Sequence, residues 1–313
     1  MPATAQHPSQ DTIDPVKVTP AALISLAHAG ETLPLRSVRI RAQQSGVYQS
    51  AFKGRGMEFD ETRPYQPGDD VRSLDWKVTA RTGRAHTKQY REERERPVLL
   101  WLDLRAAMFF ATRGAFKAVI ASRAAALLGW SAAAHRDRLG GLIFGETAHR
   151  EIKPLRGKSA VLHFIQSICR FPAWHDQDNP PAGHTSTADA LLRLRNVTRP
   201  GSLIFLLSDF RDFSERAGQQ LGQIARHSDV VMLPISDPLE TELPPPGEYR
   251  LSDGVRSLSL ETYANEARQE YRRRFQQRME QLERFCQRQH IFYLPLSTTD
   301  KVIPTLQSGL GLA

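Results

Sequence analysis

The sequence has only two cysteines in 313 residues, Cys169 and Cys286. They lie far apart in amphipathic, helix-like surroundings, which argues against a disulfide framework and favours reduced thiols in the core. No apolar run approaches the roughly 18 to 20 residues that cross a bilayer, and the N-terminal region lacks a basic start followed by an apolar stretch. We therefore expect a chain with no membrane span and a cytoplasmic location.

Recognisable catalytic motifs are also missing. The ten histidines show no paired metal-ligand spacing, and no Gly-x-Ser-x-Gly nucleophile elbow occurs. Residues 156–159 (RGKS) look like the end of a phosphate-binding loop, but Ile152 stands where that loop needs its first glycine. The sequence therefore predicts a protein that is not an enzyme and holds no cofactor.

Acidic residues are fewer than basic ones, 34 against 42, and the net charge is +8. Clustered cations favour a polyanion partner, because they displace counterions from phosphates. Here arginine and glutamate are interleaved, as in residues 91–96 and along a predicted helix over residues 263–289. This pattern favours a solvated surface of ion pairs. The alternative is a basic nucleic-acid-binding protein that uses the arginines between Arg272 and Arg278.

Composition divides the chain into three parts. Residues 1–19 are polar and rich in Pro, Thr, Gln and Asp, which predicts a disordered tail. Residues 20–96 contain a short predicted helix and then glycine-punctuated, β-like stretches, which indicates a small β-rich N-terminal unit. Over residues 97–313 strand and helix patterns alternate, as is typical of a doubly wound α/β domain with a mostly parallel sheet.

Two apolar segments of the α/β domain are each followed by an aspartate. Residues 97–102 lead into Asp103, and residues 203–208 lead into Asp209. The carboxyl ends of parallel strands share one rim of an open sheet, and ligands bind at that rim. We therefore expect the two carboxylates to lie close together in a functional site.

The residues before the first of these strands resemble the signature of the family called domain of unknown function 58. Three stretches carry the resemblance: residues 54–59 (GRGMEF), residues 63–72 (RPYQPGDDVR), and Asp75, Trp76, Thr79, Ala80 and Arg81. The family pattern continues through Glu92 or Glu93, Asp103 and Lys117. The resemblance covers most of the chain, from about residue 35 onward.

This resemblance implies a von Willebrand factor type A-like domain with a small β-rich N-terminal unit. It also implies a partner, a MoxR-type AAA+ ATPase, and a role in the chaperone-like assembly or maturation of a client protein. Longer relatives carry two membrane helices before the signature. This sequence lacks them and resembles the short soluble branch.

Type A domains commonly hold magnesium at a metal-ion-dependent adhesion site, and the resemblance maps that site onto this sequence. Asp103, Thr185 and Asp209 match its two aspartates and its threonine, while Arg105 and Ala107 replace its two serines. We expect a degenerate, metal-free, partner-binding site formed by Asp103, Arg105, Thr185 and Asp209. We also expect the Arg105 guanidinium to replace the cation by contacting the carboxylates of Asp103 and Asp209.

Other arrangements of this site stay open. A weakened magnesium site with water in place of the serines is one alternative. Arg105 pointing into solvent is another, and either aspartate also suits a helix cap.

The signature is itself rich in charge. We expect a buried ion-pair network that locks the small unit to the main domain, formed by Arg63, Asp69, Asp70, Arg72, Asp75 and Arg81. Trp76 is expected to be a packing anchor. An exposed Trp76, with Tyr65 nearby, is instead a candidate for an interface hot spot.

Overall fold

The computed structural model describes residues 14–35, 57–66, 73–92, 96–175, 183–252 and 257–311. The chain forms two compact units. We call Gln49–Glu95 the signature unit, and Met1–Tyr48 together with Arg96–Ala313 the main domain.

A six-strand path forms the centre of the main domain. Its order is β10 (Phe292–Tyr293), β7 (Asp229–Ser236), β6 (Leu203–Ser208), β3 (Pro97–Asp103), β4 (Arg138–Phe144) and β5 (His149–Arg156). A further short strand, β11 (Leu296–Ser297), also pairs with β7. All of these pairings are parallel except the one between β4 and β5. The predicted mixed α/β architecture with a mostly parallel sheet is therefore confirmed.

Apolar side chains cover both faces of this sheet, because successive side chains along a strand point to opposite faces. In β3, Val98, Leu100 and Leu102 belong to one core cluster, whereas Leu99 and Trp101 belong to the other. The first cluster includes helices α4 (Lys117–Ala134), α5 (Gly157–Cys169) and α10 (Val302–Leu310). The second includes α6 (Thr187–Val197), α7 (Glu215–Ala225) and α9 (Asn265–Arg288). This double covering explains why β3 is apolar from Pro97 to Leu102.

The segment that contains helices α1 (Pro20–Ile24) and α2 (Ala27–Glu31) clusters with the main domain, whereas the sequence predicted that residues 20–96 form one N-terminal unit. Both helices pack on α4, where Trp130 Nε1 donates to the Leu23 carbonyl at 3.1 Å. A Cβ atom at Gly30 would lie 2.6 Å from that of Trp130, so the close approach of α2 requires glycine.

The sequence predicted that residues 14–19 belong to a disordered tail, but the structure shows them ordered. Val18 is buried in the main core, and the backbone N–H of Phe116 donates to the Pro15 carbonyl at 2.8 Å. A single well-placed apolar residue and backbone pairing therefore order a segment whose composition is polar. Residues 1–13 lie outside the described part of the chain.

The signature unit contains both strand and helix. Strands β1 (Met57–Pro64) and β2 (His86–Glu92) pair antiparallel, and helix α3 (Trp76–Thr82) lies between them in sequence. In the main domain, β8 (Glu248–Ser252) and β9 (Ser257–Glu261) form another antiparallel pair, and α8 (Pro238–Thr241) follows β7. Among the described residues, no helix combines the length and apolarity needed to cross a membrane.

Candidate functional site

The two strand-end aspartates lie at the same rim of the sheet. Asp103 is the last residue of β3, Asp209 directly follows β6, and these two strands are hydrogen-bonded neighbours. Both side chains are buried. The hydroxyl of Ser208 donates to Asp103 Oδ2 at 2.6 Å, so the end of β6 also helps to hold the carboxylate of β3.

Arg105 turns back onto Asp103, two residues before it. Its Nε donates to Asp103 Oδ1 at 3.0 Å and its Nη2 donates to Oδ2 at 2.6 Å. Nη1 donates to the Thr185 carbonyl at 3.0 Å and to Asp212 Oδ2 at 2.9 Å, while Nη2 also donates to Thr187 Oγ1 at 3.1 Å. A guanidinium has five N–H groups, and these contacts occupy all of them. Arg105 is thus a buried structural cation.

Burial and the neighbouring charge shift the pKa values of Asp103 and Arg105 in opposite directions. Complete burial raises the pKa of the Asp103 carboxyl, and the neighbouring Arg105 works against that shift. For Arg105 burial is likewise unfavourable, but the charge of Asp103 raises the pKa of the guanidinium, which stays protonated. Despite burial, hydrogen bonds from Arg105 and Thr187 hold the pKa of Asp212 below its usual value.

Asp209 is paired with a different cation, contrary to the prediction that Arg105 reaches it. Lys117, the first residue of α4, places Nζ 2.9 Å from Asp209 Oδ2 and 2.6 Å from Glu240 Oε1. The Lys117 side chain is fully buried. Arg211 lies on the outer side, with Nε 3.1 Å from Asp209 Oδ2 and Nη2 in contact with Glu240. The rim therefore holds two separate cation–carboxylate groups.

The predicted threonine and alanine positions have other roles. The hydroxyl of Thr185 donates to the Glu146 carbonyl at 2.8 Å, so only its backbone carbonyl meets Arg105. Thr187, the first residue of α6, supplies the hydroxyl that contacts the guanidinium. Ala107 lies half-buried in the short 3-10 helix Ala106–Met108 and has no polar side-chain atom to contribute.

Thr187, Asp212, Glu240 and the pairing role of Lys117 are among the features of the site that sequence reasoning missed. Asp212 and Glu240 share one signal that points to them. Each is an acid within four residues after a buried strand of the same parallel sheet, β6 or β7. Their side chains reach the same rim for the reason that Asp103 and Asp209 do.

The accessible part of the site surrounds these buried groups. His184 is exposed, with Nδ1 3.3 Å from Glu146 Oε2 and Nε2 3.6 Å from Asp212 Oδ2. The Arg211 side chain is 45% exposed. We call Glu146, His184, Arg211 and Asp212 the rim surface. Three residues of the predicted partner-binding set, Asp103, Arg105 and Asp209, are themselves buried.

The residues at the rim do not fit a magnesium ion. Magnesium requires an octahedron of oxygen ligands at about 2.0 to 2.1 Å. The Arg105 guanidinium lies against the carboxylate of Asp103, and the Lys117 ammonium lies against that of Asp209. Both carboxylates therefore already have a cation that is part of the chain.

The signature residues follow local structure more than the predicted buried network. Asp75 caps α3 by accepting from the backbone N–H groups of Lys77 at 3.0 Å and Val78 at 3.1 Å, and Arg81 is exposed. Arg63 is half-buried, and its Nη1 donates to the Pro64 carbonyl at 3.1 Å. Asp69, Asp70 and Arg72 lie outside the described residues.

The arginine-rich helix α9 carries ion pairs along its exposed side. Arg273 and Arg274 both contact Glu270 at 2.7 Å, and Arg284 contacts Glu280 at 2.7 Å. These pairs form the interleaved charged surface that the residue spacing predicts.

The sequence matches the family model described as "Protein of unknown function DUF58" over residues 61–283. Uncharacterised proteins of Mycobacterium bovis and Mycobacterium tuberculosis are 31% identical to it over 238 residues. The matched part is 72% of this chain and 73% of each relative.

Two solved structures from Bacteroides show similarity at 13% sequence identity. An aerotolerance-related membrane protein from Bacteroides fragilis gives a TM-score of 0.46, with 68% of this chain and 96% of that chain covered. The conserved hypothetical protein BatB from Bacteroides thetaiotaomicron gives a TM-score of 0.42, with coverages of 69% and 97%. The family match and the mycobacterial relatives decide the classification: the chain belongs to the DUF58 family of proteins of unknown function.

Proposed function

We propose that this chain is a non-enzymatic adaptor that binds another protein through the rim of a von Willebrand factor type A-like main domain. In this proposal the adaptor cooperates with a MoxR-type AAA+ ATPase in the assembly or maturation of a client protein. The signature resemblance supports the choice of ATPase, and the geometry of the rim supports a binding role.

The observation that carries the proposal is the saturation of Arg105. All five of its N–H groups are engaged by Asp103, Thr185, Thr187 and Asp212. A metal-dependent adhesion site keeps one position open for a partner's carboxylate, whereas a saturated guanidinium keeps none. Arg105 therefore fixes the loops after β3 and β6. The side chains around it, and not Arg105 itself, are the ones that can contact a partner.

The same saturation argues against acid–base catalysis by Asp103 or Asp212. A catalytic acid or base must exchange a proton near the working pH and must reach the substrate. Asp103 is buried under Arg105, and Asp212 has a lowered pKa that keeps it ionised. Neither carboxyl meets both requirements.

The rim surface suits recognition because a rigid frame supports it. His184 lies between Glu146 and Asp212, and Asp212 is itself held by Arg105 and Thr187. Side chains that are positioned before binding lose little conformational entropy in the complex. A protein partner that carries complementary charges would therefore bind without rearranging the strand ends.

Affinity capture tests the proposal. The tagged full-length chain is incubated with extract of the source cells in ATP, ADP or a non-hydrolysable ATP analogue, and bound proteins are identified by mass spectrometry. The test variant is H184A/R211A, which removes two exposed side chains of the rim surface. The matched control is R284A, which removes an exposed arginine of α9.

We expect the native chain and the control to retain an AAA+ ATPase in at least one nucleotide state. The rim variant should retain at least about tenfold less, the loss typical of an interface hot spot. Recovery of no AAA+ ATPase in any nucleotide state would contradict the proposed partner. Equal recovery by the rim variant would contradict the rim surface as its binding site.

A further inference from the structure

A tryptophan of the family signature is exposed in a folded part of the signature unit. Trp76, the first residue of α3, has 70% of its surface accessible, whereas Trp101, Trp130 and Trp174 are all buried. Its exposure corrects the expectation of a packing anchor. Tryptophan is one of the residues enriched at the energetic centres of protein interfaces.

The opposite side of α3 is attached to strand β2, so the helix is held in place. The backbone N–H of His86 donates to Thr79 Oγ1 at 3.1 Å, and the Asp75 backbone N–H donates to the His86 carbonyl at 2.8 Å. Thr82 Oγ1 lies 3.2 Å from His86 Nδ1. The helix is therefore ordered without any help from the indole.

The exposed side of the helix combines the indole with positive charge. At 100° per residue, Trp76 and Ala80 lie one above the other, and Lys77 and Arg81 form the neighbouring row. All four residues are exposed. We call this set the Trp76 face. The small Ala80 leaves one side of the indole open, and Arg84, also exposed, follows the helix.

Within the described part of the chain, no carboxylate forms an ion pair with Lys77 or Arg81. The nearest acid in the sequence, Asp75, has one carboxylate oxygen engaged by the N–H groups of Lys77 and Val78 at the helix start. The Trp76 face therefore presents cations beside an apolar ring, and this chemistry is complementary to carboxylates next to an apolar side chain.

We propose that the Trp76 face is a second docking surface of this protein, and that it binds an acidic segment of a partner protein which inserts an apolar side chain beside the indole. A single-stranded nucleic acid would use a series of aromatic rings for successive bases. The Trp76 face has one ring, so the geometry favours a protein segment. The proposal does not depend on the rim surface or on an ATPase.

Fluorescence of the full-length chain tests this surface directly. Because the three other tryptophans are buried, iodide should quench only the emission of Trp76. The probe is a short synthetic peptide in which aspartate and leucine alternate, and its dye-labelled form also reports binding by anisotropy. Two further probes represent other kinds of partner. A peptide with lysine in place of aspartate represents a basic protein segment, and an oligothymidylate represents a single-stranded nucleic acid.

We expect the acidic peptide to protect Trp76 from iodide and to bind more weakly as salt is added. The variants W76A and K77E/R81E should each lose at least about tenfold in affinity, and R284E, a charge reversal on α9, should bind as the native chain does. Circular dichroism checks that each variant keeps its fold, which is expected because the changed side chains are exposed.

Four results would overturn the proposal. They are failure of iodide to quench the native chain, absence of acidic-peptide binding, equal binding by K77E/R81E, and stronger binding of oligothymidylate or of the lysine peptide. Because no ATPase is present, none of these results bears on the proposed adaptor role of the rim.

Discussion

The ammonium group of Lys117 lies 2.6 Å from a carboxylate oxygen of Glu240, 123 residues further along the chain, and the Lys117 side chain is fully buried. The same nitrogen contacts Asp209. One buried cation thus links the start of α4, the loop after β6 and the short helix α8. Arg105 likewise pairs with both Asp103 and Asp212. Each group therefore places one internal cation between two carboxylates.

The variant K117M should be strongly destabilised. It leaves Asp209 and Glu240 with the partly exposed Arg211 in place of their buried cation. Breaking a buried ion pair from one side costs about 3 to 5 kcal/mol, and Arg211 should keep the loss at the lower end of that range. Urea denaturation followed by circular dichroism measures this loss. The control K158M changes a lysine whose side chain is 75% exposed and should cost less than about 0.5 kcal/mol.

Removing the remaining charges should restore part of that stability. The variant K117M/D209N/E240Q has neither the cation nor the two carboxylates, so the penalty of uncompensated buried charge disappears. We expect it to be more stable than K117M alone. A loss below about 1 kcal/mol for K117M would show that the pair behaves like an exposed one.

The positions of Asp103 and Asp209 could be predicted because one local pattern determines both. Each follows an apolar strand, and parallel strands end at a common rim. The partner of Asp209 could not be predicted in this way. Lys117 opens a helix whose residues are buried almost all round, and nothing in its periodicity distinguishes a buried lysine from a solvated one.

The N-terminal boundary shows a similar limit of local information. The composition of residues 14–19 is polar, but Val18 becomes buried because the main domain offers an apolar surface to it. The contact between Arg105 and Asp103 was easier to predict. It stands two residues after Asp103, so the short turn after β3 brings the two side chains together.

The variant R105A should show a stability loss that grows with pH. Burial already raises the pKa of Asp103, and removal of the guanidinium raises it further. The folded variant then holds a proton that the unfolded chain releases above about pH 3.9. Its stability relative to the native chain should therefore fall as pH rises from the already raised Asp103 pKa of the folded native chain to the still higher one of the folded variant. Urea titrations between pH 4 and 8 measure this, and D103N/R105A should remove the dependence.

Asp237 should make the native chain sensitive to acid. Although burial opposes it, hydrogen bonds from Thr112, Leu239 and Thr298 lower the pKa of this carboxyl. The stabilisation is present above the unfolded pKa of about 3.9 and is lost as pH falls through the lower folded pKa.

The variant D237N tests that assignment, because an amide presents one acceptor oxygen where the carboxylate presents two. It should be less stable than the native chain by about 1 to 3 kcal/mol at neutral pH, and less sensitive to pH below 4. E280Q, at an exposed position of α9, is the control. An unchanged acid dependence in D237N would contradict the role given to Asp237.

Metal binding should require removal of the internal cation at Asp103. In isothermal calorimetry we expect no binding of Mg²⁺ or Mn²⁺ to the native chain, because Arg105 already occupies the carboxylate. The double substitution R105S/A107S frees Asp103 and supplies two hydroxyls, which are ligands that these ions accept. We expect measurable affinity in the double variant and its loss when D103N is added. Lys117 still neutralises Asp209 there, so the affinity should stay weak. Micromolar binding by the native chain would refute the assignment of Arg105 as a replacement for the metal.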